Sequence, residues 1–119
     1  GYIRKMRRKD ICISTYADYD VAFHMELAVA SQNRLLIAVY TAIEPLMKQI
    51  VEHVVKSGGK VENDSGFHAA ILERIKARDP EGAQDKMKDH LTASERMFQD
   101  SIEPDTGLDQ VLLWTSQPV

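Results

Sequence analysis

The 119-residue chain lacks most of the features that announce a function. Cysteine occurs once, at Cys12, so no internal disulfide can form. That excludes a disulfide-stapled secreted scaffold and points to the reducing cytoplasm. No apolar run approaches the roughly 20 residues needed to cross a bilayer, so no membrane span is expected. The opening GYIRKMRRKD is basic but has no apolar core of a secretory signal behind it. Charge of one sign is also missing. The net charge is -3, so the chain by itself is a poor binder of nucleic acid. Its one basic cluster, Arg4, Lys5, Arg7, Arg8 and Lys9, reads as a solvated run. Repeats, low-complexity tracts, a nucleophile elbow, a phosphate loop and strand-like alternation are absent or weak. What remains is a globular balance, 44% hydrophobic and 28% charged, with strong helical periodicity.

That periodicity predicts an all-α antiparallel helical bundle forming one domain over residues 1–119, with a core over 14–102 and a tail over 103–119. A helix end is expected at 3–9 and a second helix at about 16–31, with Asn33 suited to stop it. Cys12, between Ile11 and Ile13, reads as a small buried hydrophobe. The third helix, about 34–57, is apolar on several faces, which marks a central or interface helix. Pro45 should kink it and the glycines of SGGK, 57–60, should end it. The fourth, about 64–78, can be capped by Asp64 or Ser65. The fifth is expected over about 80–101. Asp79 would be its N-cap, Pro80 its first residue and Glu81 an acid in its first turn. EPDTG, 103–107, breaks it, and Trp114 is expected to pack back onto the body.

The stretch DYDVAFHMELAVASQN, residues 18–33, carries the chemical oddity. Asp20 and His24 stand one helical turn apart and share a face with Phe23 and Leu27, so both point inward. His68 falls on the apolar stripe with Ile71, Leu72 and Ile75. His90 falls at the centre of the stripe of Ala83, Met87, Leu91, Ser94, Met97 and Phe98. Buried without partners, such groups cost about 1–3 kcal/mol each. Two arrangements relieve that cost. One is convergence of Asp20, His24, His68 and His90 on a divalent cation such as Zn, Ni, Co, Mn or Fe, all served by imidazole and carboxylate. The other is a hydrogen-bonded Asp/His cluster without metal. His53 has Gln49 rather than a carboxylate one turn before it and reads as a surface or interface residue.

DYDVAFHMELAVASQN together with FHAAILERIKARDPEGAQDKMKDHL resembles the C-terminal effector-binding (FCD) domain of GntR-family transcriptional regulators of the FadR subfamily. The likeness runs over about 14–100. It rests on Asp20, Phe23, His24, Asn33, His68, Ile71, Asp79, Ala83, Met87, His90 and Leu91 in combination. It implies a helical bundle that holds a divalent metal through one Asp and three His, here Asp20, His24, His68 and His90. It further implies a small carboxylate metabolite bound beside the metal. A separate N-terminal winged helix-turn-helix would bind operator DNA as a homodimer under control of that metabolite. The family's domain begins with further helices, so this chain is expected to be an N-terminally truncated piece.

Four protein ligands leave one or two positions open on a five- or six-coordinate metal, enough for a carboxylate. Ser94, one turn beyond His90, and less strongly Tyr40 are the candidate effector-binding residues. No catalytic residues are assigned and no enzyme activity is expected. The alternative from another class is a helical-bundle metalloenzyme using the same Asp/His3 set, because a metal with an open position can activate water.

Overall fold

A computed structural model describes residues 1–58 and 61–102, without the side chains of 61–64. Five helices follow one another, and no strand occurs among the described residues: α1 Tyr2–Met6, α2 Ile13–Ala30, α3 Arg34–Lys56, α4 Val61–Lys76 and α5 Pro80–Ser101. The chain is an all-α antiparallel bundle. Its main packing pairs are α2 with α3 and α4 with α5, two hairpins with tight links. α1 touches both α2 and α4, and α3 touches α5, which closes the two hairpins on each other.

The links explain the boundaries. α2 ends at Ala30, and Gln32 takes φ 57, a left-handed turn residue. Asn33, expected as a stop, is instead the N-cap of α3: its side-chain oxygen accepts from the Leu36 amide at 3.1 Å. The link is so short that the next helix takes the Asn. α3 continues through Pro45 and ends at Lys56, with Gly58 at φ 93 beyond it. α4 starts at Val61, so Ser65 lies inside the helix and does not cap it. At the other end of α4, Arg78 takes φ 54 and its amide reaches the Ile75 carbonyl. α5 begins as its sequence dictates. Asp79 accepts from the Gly82 amide at 2.9 Å and Pro80 opens the helix. A Cβ at Gly82 would run into the Asp79 carboxylate as it stands, so a side chain there must shift this cap.

The interior gathers around α2. Tyr16, Ala17, Val21, Phe23 and Ala28 are buried there, with Met6 from α1 and Ile71 from α4. α3 contributes no buried residue. Leu35 is 74% exposed, and Leu36, Val39, Ile43 and Leu46 are exposed as well. The apolarity of α3 therefore does not make it central. One side packs on α2, where Lys48 meets Asp18 at 2.6 Å, and its opposite side faces outward. Cys12 is exposed rather than buried. It is the N-cap residue of α2, with its sulfur 2.9 Å from the Thr15 hydroxyl. Ile75 and Leu91, read as members of buried stripes, are exposed. The break at 103–107 and the docking of Trp114 lie outside the described residues, as does the side chain of Asp64. No helix among the described residues is long and apolar enough to cross a membrane.

Candidate metal centre

Four of the buried residues are polar: Asp20, Ser65, His68 and His90. Three of them, with His24 beside them, meet where the two hairpins face each other. α2 supplies Asp20 and His24, one turn apart. α4 supplies His68, with no exposed surface, and α5 supplies His90. Apolar neighbours fix the rings. Phe23 stacks on His68 with centroids 4.4 Å apart, and Phe67 lies 5.5 Å from His90. Phe67 is a site neighbour that sequence reasoning missed, because it precedes His68 and falls off the helical stripe.

The three imidazoles aim the same atom at one point. His24 Nε2 is 3.2 Å from His68 Nε2, His68 Nε2 is 3.1 Å from His90 Nε2, and His90 Nε2 is 3.2 Å from His24 Nε2. Asp20 Oδ1 completes the group, 3.1 Å from His68 Nε2 and 3.4 Å from His24 Nε2. A closed triangle of ring nitrogens is a poor hydrogen-bond network, since each nitrogen has a single in-plane site for a proton or a lone pair. Asp20 Oδ1 is shielded from solvent and accepts no well-formed hydrogen bond. It fits a cation better. Nitrogens about 2.0–2.1 Å from a shared ion and 3.1–3.2 Å from one another subtend roughly 100° at it. That angle lies between octahedral and tetrahedral values.

The electrostatics point the same way. Burial pushes the Asp20 carboxyl up, but His24 and His68 outweigh it and hold the group well below the usual carboxylate range. Burial, then the neighbouring His68 and His24, push His90 down to about 4. Near neutral pH the pocket therefore offers an ionised oxygen and a neutral His90, the protonation states that a metal requires.

The two candidate effector residues border the same place. Ser94 Oγ is 3.5 Å from His90 Nδ1, where it can accept from the ring N–H and so keep Nε2 as a donor to metal. The Tyr40 hydroxyl donates to the Val21 carbonyl at 3.3 Å. Burial, then Asp20 and Glu44, raise its pKa, so it stays neutral. Both residues line a cavity of about 160 Å³ that also touches Asp20, His24 and His90. His53 stands apart from the cluster. Its Nε2 is 3.2 Å from the Ser101 carbonyl, linking α3 to the last residue of α5.

The model of the FCD domain family matches residues 2–93, most of the chain. The chain belongs to the FCD domain family. With it stands the likeness to the effector-binding half of GntR-type transcriptional regulators. The Exu regulon transcriptional regulators of Escherichia coli K12 and of Shigella flexneri are each 28% identical to this FCD chain over 102 residues. The match covers 81% of this chain and 38% of theirs. The chain thus spans well under half the length of those curated relatives. No solved structure matches it.

Proposed function

We propose that this FCD domain is the metabolite-sensing part of a GntR-type regulator. In this reading Asp20 Oδ1 and the Nε2 atoms of His24, His68 and His90 hold one divalent cation. A small carboxylate then binds beside it in the cavity under Tyr40 and Ser94. The observation that carries the reading is the closed triangle of three Nε2 atoms with a buried, otherwise unmet carboxylate oxygen against it. When bound, the cation would supply the positive charge that a carboxylate needs. Ser94 would orient the His90 imidazole through its other ring nitrogen, and Phe23 would back the His68 ring.

The residues come from both hairpins, so occupancy of the site biases how α2–α3 sits against α4–α5. That is the two-state element through which a metabolite would act on a DNA-binding domain elsewhere in the whole protein. A homodimeric cytoplasmic regulator, with operator DNA reached through a winged helix-turn-helix outside this chain, follows from the same reading. Thermal shifts with a panel of organic acids test it, with and without chelator. Stabilisation by an acid that is not consumed, and that disappears with the metal, is the expected result by mass action on the folded state. Turnover of the acid would instead favour the metalloenzyme.

A further inference from the structure

The cavity beside the imidazole cluster has two unlike kinds of lining. Asp20, His24 and His90 form its charged and imidazole part. Much of the rest is hydrocarbon and thioether: Met47, Ile50, Val51 and Val54 from α3, and Leu91 and Met97 from α5. No Lys or Arg lines it among the described residues. Its neutral polar groups are in part already engaged, Tyr40 with the Val21 carbonyl and Ser94 with His90 Nδ1. A second carboxylate against that lining would meet no counter-charge. The hydroxyls of a sugar acid would exchange water for methyl groups, and each unpaired polar group is costly.

We propose that this cavity selects a monocarboxylate with an apolar body, of four to six carbons or a single aryl ring, over dicarboxylates and polyhydroxy acids. The inference rests on the metal reading above. That reading places the carboxylate beside Asp20, His24 and His90 and leaves the rest of the molecule against α3 and α5. The size follows from the volume of about 160 Å³. An apolar protein cavity of roughly 150 Å³ accommodates one benzene ring.

Calorimetric titration of the metal-loaded protein with acetate, butyrate, hexanoate, succinate and gluconate tests this, with metal content measured on the same samples. Affinity should rise about fourfold for each added methylene until the cavity is full. Succinate and gluconate should bind no better than acetate. Ile50 lines the cavity and is no metal ligand, so the Ile50→Asn protein, with its metal content measured, reads the apolar wall alone. It should lose about tenfold in affinity for hexanoate. A flat series, gluconate or succinate binding as tightly as butyrate, or an unchanged hexanoate affinity in Ile50→Asn overturns the inference while bound metal leaves the centre standing. A wild-type protein that takes up no metal overturns both.

Discussion

Acidifying the metal-free protein should destabilise it through the imidazole cluster. The perturbation is a shift from pH 7 to pH 5 in the presence of chelator. His90 titrates near 4 in the folded protein, whereas an unfolded histidine titrates near 6.5. Between those values the unfolded chain binds more protons than the folded one, so stability falls as pH falls. Each unit of pH in that window removes about 1.4 kcal/mol, which makes about 2 kcal/mol between pH 6.5 and 5 from this one ring. Asp20 acts in the same direction at lower pH, since its folded-state pKa is depressed and its contribution is lost once it protonates. Against a typical total of about 5–15 kcal/mol, that loss is large. Urea titrations at half-unit pH steps read it as a falling midpoint at constant slope. His90→Gln should flatten the dependence above pH 5. Equal pH slopes in wild type and His90→Gln, or a midpoint that does not move, would refute the reasoning.

The remaining predictions concern positions whose neighbours are equally well defined. Ser94→Ala should leave the fold intact and weaken metal affinity about tenfold by freeing the His90 ring, read by competition with a chromophoric chelator. Gly82→Ala should destabilise by about 1 kcal/mol in denaturant titration, although alanine is the better helix former, because the new methyl displaces the Asp79 cap. A stabilised Gly82→Ala protein would show the cap to be idle.

Much of the candidate site was legible because helix geometry is regular. An i, i+4 spacing puts Asp20 and His24 on one face whatever surrounds them, and the stripes of α4 and α5 aim His68 and His90 inward. The Asp79–Pro80–Glu81 start was legible for the same reason: its signals are local, and α5 begins where they place it. Tertiary context was not legible. The apolar faces of α3 announce surface suited to burial, but they do not say whether a partner covers it, and α2 rather than α3 holds the core. Cys12 sits between two isoleucines, yet it occupies a helix cap, where side chains turn outward. Asn33 suits a helix end as well as a helix start, and only the length of the α2–α3 link decides between them. Phe67 escaped notice because contact across a bundle does not obey the period of one helix.

The most direct test of the account is equilibrium dialysis of divalent metal against the wild-type protein and against Asp20→Ala, His24→Ala, His68→Ala and His90→Ala, each checked for helicity. The account predicts one tightly held ion per wild-type chain and a marked loss of affinity in all four variants. Full metal content in folded His68→Ala and His90→Ala proteins, or none in the wild type, would contradict it.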